Sequence, residues 1–309
     1  MEPLRLSYPV HTIGGQLLLP AGTVLSPETL EELIASNKAA PYPTSSLLSH
    51  HMVKADMLLL MDRPPYNVIF SGREKIAEVM TLMETVRLVS PVLQSLDYFK
   101  EHDYHTYCHV LMVFALVTLI ARDLMPEHKG WIHDVATSPT HDIGKTCAPL
   151  HVLKKQTPLT RAEKEMLDHH AAAGYVLLSY FHRDHNDFAA VVARDHHERR
   201  DGSGKPRGIE LTDRMVEIVA ACDVYDALIS PRPYRSVTYD NRTALEEITA
   251  MAETNKIGWD VVRALVAHNR KGGSDPESTE VSLERRGAPP RNNYYGVIAE
   301  DRGDASSSG

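Results

Sequence analysis

Cysteine is scarce: the 309 residues hold only Cys108, Cys147 and Cys222, in no spacing that suits a disulfide framework or a thiolate metal site. That favours a reducing, cytoplasmic setting. Basic charge is also short. Lys and Arg number 33 against 41 Asp and Glu, a formal net charge of −8, and no basic stripe is present, which argues against binding a nucleic-acid polymer. Long apolar runs are missing as well. The most apolar one, Val110 to Ala121, covers 12 residues, too few to span a bilayer, and it follows a His, so a buried helix and no membrane contact are expected. Met1 to Val10 shows no charged segment followed by an apolar core, so no signal peptide is evident. What remains is 43% apolar and 24% charged, ordinary usage for a soluble enzyme long enough for two domains.

Histidine, by contrast, is abundant, with 17 in the chain. Isolated ones such as His11, His50 and His268 read as incidental. Others form an ordered set with aspartates: His109, the pair His141-Asp142, His170, the pair His196-His197, and Asp223. Imidazole and carboxylate suit Zn, Fe, Mn or Ni, and seven such groups exceed the needs of one ion but match two. Neighbouring side chains on a helix diverge by about 100°, so His141 and Asp142 cannot both face one ion unless the backbone bends or the pair straddles two ions. A bridging carboxylate resolves this, with each oxygen of Asp142 on a different metal.

A longer series surrounds these residues. His141-Asp142-Ile143-Gly144-Lys145, Leu159-Thr160 with Glu163, His170 followed by Gly174, His196-His197-Glu198, Asp201-Gly202-Ser203-Gly204, Asp223 with Asp226-Ala227-Leu228, and Arg232-Pro233-Tyr234-Arg235 occur in that order. The series resembles the HD-GYP phosphodiesterases from about residue 103 to about residue 270. A lone His-Asp dipeptide carries almost no information. His133-Asp134 is one, lacks the following Gly-Lys, and is expected to bind no metal. The resemblance implies a mainly α fold, an all-helical HD-GYP bundle with a small N-terminal domain that is α/β or mainly helical. It implies two divalent ions per chain, Fe foremost with Mn or Zn as alternatives. His109, His141 and Asp223 would hold one, His170, His196 and His197 the other, and Asp142 would bridge them.

Four regions follow. Residues 1–65 read as a small regulatory or interaction domain, in which Gln16 to Leu25 gives a strand and turn and Ser26-Pro27 opens a helix. Residues 66–102 are connecting helices, with Arg73 to Phe99 amphipathic and interrupted or kinked near Pro91, packing in the core or forming a homodimer contact. Residues 103–270 are the catalytic domain, helical throughout, with a capping box at Thr160 and Glu163 starting a helix that carries His170. Residues 271–309, rich in Gly, Pro and Ser, read as a mostly disordered tail in which only Tyr294 to Ile298 can dock.

The chemistry follows from charge. Two ions polarise a phosphoryl oxygen and make hydroxide available near neutral pH, with Asp142 as the bridge and Lys145 stabilising charge on the phosphoryl group or the departing alkoxide. Arg232 and Arg235 resemble the family's phosphate-gripping residues, or pair with surface carboxylates. Glu198 and Asp201 orient imidazoles, or serve a turn. Two departures stand out. The loop expected to read Gly-Tyr-Pro is Gly204-Lys205-Pro206, which offers Lys205 to substrate in place of an aromatic ring, and His105 stands where some relatives carry a third-metal Glu. The implied function is hydrolysis of a cyclic dinucleotide, cyclic di-GMP by resemblance, with a diguanylate cyclase-type GGDEF domain as a partner at the Gly204-Lys205-Pro206 loop. The alternative is a degenerate receptor for the dinucleotide or a signalling partner. Di-iron oxygen chemistry is weaker, because the Gly-Lys and Arg-Pro-Tyr-Arg features point to phosphate.

Overall fold

The computed structural model describes residues 3–231, 237–270, 275–290 and 297–300. It is mainly helical, with two small two-stranded sheets among the described residues. The chain opens with β1 (Val10–His11) and β2 (Leu17–Leu19), paired antiparallel, then α1 (Pro27–Ser36). Ser26 caps α1 by accepting from the Thr29 N–H, and Pro27 takes the first turn, where its missing N–H costs nothing. β3 (Thr44–Ser46) leads into α2 (Val53–Asp62), then α3 (Arg73–Thr85), β4 (Arg87–Val89) and α4 (Ser90–His102). Of the two readings of 73–99, a kinked or an interrupted helix, the structure shows the interruption: Arg87–Val89 leaves helical geometry to pair with Thr44–Ser46, and Pro91 lies in the first turn of α4. Pairing from a distant segment overrides the local helical period.

The body consists of α5 (Tyr104–Leu124), α6 (Trp131–Val135), α7 (Leu150–Leu153), α8 (Arg161–Asp168), α9 (His170–His182), α10 (Phe188–Asp195), α11 (Arg214–Ile229), α12 (Asn241–Glu253) and α13 (Trp259–Asn269). Acidic residues cap several of these, Asp103 on α5, Asp187 on α10, Asp213 on α11 and Asp240 on α12. The capping box at Thr160 and Glu163 is present, but α8 ends at Asp168 and His170 starts α9, so the chain turns at His169 rather than running on.

α5 is the central element, with every residue from Val110 to Ala121 buried and α4, α11 and α13 packed around it. Each large apolar side chain of this kind stabilises the fold by about 1.5–3 kcal/mol. The complete helix spans 21 residues and is long and apolar enough to cross a bilayer, so the argument from a 12-residue run does not apply to it; 78% of its most apolar window is buried against the rest of the chain.

Apolar residues from Leu6 to Leu265 form one continuous core, with α1 on α9 and α2 on α5. Asp56 of α2 accepts from Lys100 at 2.6 Å and from the Tyr107 hydroxyl at 2.7 Å, and Asn37 donates to the Tyr180 carbonyl at 3.0 Å, so polar pairs also tie the first segment to the body. Cys222 lies in the core and Cys108 and Cys147 against it, all three as free thiols. Part of the segment read as tail lies against the body. Ile298 pairs with Leu159, the Ala299 N–H reaches the Leu159 carbonyl at 2.9 Å, and Glu246 accepts from the Arg286 and Gly287 N–H groups.

Candidate metal centre

The adjacent pairs escape the geometry of a continuous helix. His141 and Asp142 sit between two 3₁₀ turns, Ser138–Thr140 and Ile143–Cys147, and His196 is the C-cap of α10 with His197 beyond it. His109 projects from the second turn of α5, His170 is the first residue of α9, and Asp223 lies in the middle of α11. Glycine makes the approach possible. A Cβ on Gly144 would stand 1.9 Å from the His170 carbonyl oxygen, so only glycine lets the His-Asp turn press against the start of α9. Gly204 has the same role beside the histidine pair, where a Cβ would meet the Glu198 Cα at 2.3 Å.

Two groups of donors result. One atom each from His109, His141 and Asp223 lie within 4.8 Å of one another, and so do one each from His170, His196 and His197. Asp142 stands between them, buried to 1% exposure. Its Oδ2 lies 3.4 Å from His109 Nε2 and 3.6 Å from His141 Nε2, while its Oδ1 lies 3.4 Å from His170 Nε2 and 3.9 Å from His196 Nε2.

Hydrogen bonding fixes the tautomers. His141 Nδ1 faces the Ser138 carbonyl at 2.7 Å, His170 Nδ1 the Leu167 carbonyl at 2.5 Å and His196 Nδ1 the Ala193 carbonyl at 2.9 Å. A carbonyl can only accept, so each Nδ1 carries the proton and each Nε2 offers a lone pair inward. The Nε2 atoms of His170 and His196 are therefore two lone pairs 3.3 Å apart, an arrangement that repels unless a cation lies against both. The donor set fits a transition metal or zinc.

Burial pushes the His141, His170 and His196 pKa values down to about 4 and that of His197 well below the usual imidazole range, so all four stay neutral and able to ligate at pH 7. Burial alone would raise Asp142; the Lys145 ammonium and then the His141, His170 and His109 imidazoles override it and hold the carboxyl well below its normal range. Asp223 is likewise held low against its burial, by the hydrogen bond from His109 and the surrounding imidazoles. Three carboxylates, Asp142, Asp223 and Asp226, against one ammonium leave the pocket negative, and two divalent ions would reverse its sign.

One partner of the centre had only a motif position and no role in the sequence. Asp226, fully buried one turn after Asp223 on α11, has its Oδ2 2.6 Å from His109 Nδ1, and its Oδ1 accepts from the Tyr66 hydroxyl. The carboxylate fixes the His109 ring with Nε2 aimed at Asp223, 3.0 Å away. Spacing of three on one helix face was the available signal for Asp226; nothing in the sequence points to Tyr66, which lies 160 residues away. Asp226→Asn keeps the shape but loses the charge, and is expected to weaken metal binding by about 10- to 100-fold. Equilibrium dialysis against the metal measures this, and unchanged affinity would remove Asp226 from the centre.

The remaining residues singled out from the sequence fall around this pocket. Lys145 donates to Asp142 Oδ2 at 2.5 Å. Lys205 pairs with Asp168, which Lys164 also contacts, and burial lowers its pKa to about 8. Glu198 serves the loop rather than an imidazole: its oxygens accept from the Arg207 N–H at 2.7 Å and the Ile209 N–H at 3.1 Å. Asp201 holds its own turn through Ser203. His105 Nδ1 contacts the Pro231 carbonyl at 3.0 Å. Asp134 pairs with His128 at the surface, beside an exposed His133. Arg232 and Arg235 lie outside the described residues.

An HD-domain family profile matches residues 28–261, beginning in α1, well upstream of the motif series. Three curated relatives share parts of it. A cyclic di-GMP phosphodiesterase of Pseudomonas aeruginosa is 35% identical over 216 residues, 68% of this chain and 48% of that protein. A cyclic di-GMP phosphodiesterase response regulator of Xanthomonas campestris is 43% identical over 120 residues, 38% of this chain and 32% of that protein. A cyclic di-GMP phosphodiesterase of Thermotoga maritima is 34% identical over 148 residues, 47% of this chain and 40% of that protein. The chain thus spans between about a third and about half the length of these relatives. The profile covers most of the residues, including every histidine of the two donor groups, and the chain belongs to the HD-domain family.

Proposed function

We propose that the chain hydrolyses a cyclic dinucleotide, cyclic di-GMP in the first instance, using two divalent ions, with Fe foremost and Mn or Zn as alternatives. His109, His141 and Asp223 would hold one ion, His170, His196 and His197 the other, and Asp142 would contribute an oxygen to each. The observation that carries this reading is the carboxylate of Asp142, whose two oxygens are directed at different donor groups. Bound divalent ions supply Lewis acidity toward a phosphoryl oxygen and lower the pKa of water to near neutrality. The chain supplies the rest. Neutral imidazoles keep the pocket ready for cations, and Asp226 with Tyr66 fixes the His109 ring. Lys145 places an ammonium beside the bridge, where charge on a transferred phosphoryl group can be met.

Metal analysis of anaerobically purified protein, followed by product analysis with cyclic di-GMP under Fe, Mn and Zn loading, tests the proposal. Two ions per chain and a linear product or mononucleotide are expected. Full metal content without any product under all three metals would defeat the enzymatic reading and favour a dinucleotide receptor.

One observation favours the receptor. Where the family places Tyr, Lys205 is engaged by Asp168, two residues before His170, so a flexible cation tied to a carboxylate stands in for a rigid ring. Slow native turnover is therefore expected, with Lys205→Tyr faster at equal metal content. Equal rates for the two proteins would show that residue 205 does not limit the reaction.

A further inference from the structure

His50, read as incidental along the sequence, has partners in space. His50 and His51 precede α2, and one nitrogen from each lies within 4.8 Å of the other and of an oxygen of Asp97 on α4. His50 Nε2 is 2.9 Å from Asp97 Oδ1, and His51 Nε2 is 3.6 Å from Asp97 Oδ2. The two rings meet edge to face with centroids 4.2 Å apart. Consecutive side chains ordinarily point apart. Here His51 adopts a left-handed backbone, φ 46°, which turns its ring back beside His50 and toward the same carboxylate.

The loop that carries these groups is built rather than loose. Leu47 and Leu48 are buried, the Leu47 N–H reaches the Val86 carbonyl at 2.9 Å, and the His50 N–H reaches the Leu47 carbonyl at 3.1 Å. His50 is itself mostly covered, at 16% side-chain exposure, whereas His51 at 66% and Asp97 at 44% keep the open side accessible to solvent.

We infer that His50, His51 and Asp97 form a second, surface metal site for a divalent ion of the zinc type. Two imidazole nitrogens and one carboxylate oxygen are the ligand types zinc takes, and water can complete the tetrahedron on the exposed side. Both Nε2 atoms already lie beside the carboxylate, at 2.9 and 3.6 Å, so an ion can enter between the three groups without rearranging the loop. An ion there would join the loop before α2 to α4, the helix that leads directly into α5 and His109. This site is separate from the centre on α5, α9 and α11, and its existence does not depend on the reaction proposed there.

Zn²⁺ titration of the full chain, with the main centre already filled, tests it by equilibrium dialysis and by thermal shift. The native chain is expected to bind one Zn²⁺ more than His51→Ala or Asp97→Asn, and to show a Zn²⁺-dependent rise in Tm that both variants lack. His51 is too exposed for its truncation to open the core, and Asp97→Asn preserves shape, so both variants should keep the metals of the main centre. Equal Zn²⁺ stoichiometry in native and variant chains would overturn the site. Loss in His51→Ala with full retention in Asp97→Asn would overturn the ligand set.

Discussion

Asp142→Asn is expected to strip metal from both donor groups together and to abolish hydrolysis. The substitution keeps the volume of the side chain but replaces one charged oxygen with an N–H donor. Whichever way the amide turns, one group meets N–H hydrogens where it had a carboxylate oxygen: His109 and His141 on the Oδ2 side, His170 and His196 on the Oδ1 side. The other group loses the negative charge that favours a cation. Lys145 also loses a charged partner, a hydrogen bond of a kind typically contributing about 1.5–3 kcal/mol. Metal content per chain and calorimetric affinity are the measurements. Retention of two tightly held ions would remove Asp142 as the bridge, and loss confined to one position would assign it to that position alone.

A second expected result concerns the protein without metal. Burial holds His141, His170 and His196 near pKa 4, far below their value of 6.5 in an unfolded chain. Between those values the unfolded chain binds more protons than the folded one, so the sign is fixed: stability is highest above about pH 6.5 and is lost as pH falls toward 4. The Tm of metal-free protein should therefore drop by several degrees from pH 7 to pH 5, and a flat profile would mean that the imidazoles are not buried as described.

That the ordered histidines and aspartates would come together was legible in the sequence, because candidate metal ligands come from a few residue types, and a His-Asp pair on one ion's scale demands a turn or a bridge. The structure supplies a turn at residues 141–142, where the Gly144 approach to α9 gives a reason for the glycine of the motif. Partners remote in sequence were not legible. Tyr66 reaches Asp226 across 160 residues from the start of the stretch read as connecting helices, and Asp97 meets the His50-His51 pair from a different helix. The strand Arg87–Val89 was also hidden, because it is only three residues long and its partner Thr44–Ser46 is equally short and polar. The turn at His169 had no marker, since every residue from Arg161 to His182 except Gly174 is compatible with one long helix. Glu198 illustrates the opposite case. Its place after two histidines left an imidazole partner and a turn role both open, and the structure shows the second: backbone N–H groups of the following loop take both of its oxygens, which fixes that loop against the Gly204 contact.

Lys145→Ala should leave both metals in place and reduce hydrolysis by about 10²- to 10³-fold, the usual loss when one preorganised charge-stabilising donor is removed. Lys145 contributes no donor atom to either group; it touches the centre through Asp142 Oδ2. In the metal-free chain its ammonium offsets the buried carboxylate, a task that bound cations would take over. Under the proposed reaction its remaining contribution would then fall on the anionic phosphoryl group and the alkoxide that departs from it. The loss is expected mainly in kcat, with substrate affinity less affected, because the charge it meets grows on the way to the transition state. Two results would count against this role. Unchanged turnover at saturating metal would make Lys145 a bystander, whereas parallel loss of metal and activity would reduce it to a support for Asp142.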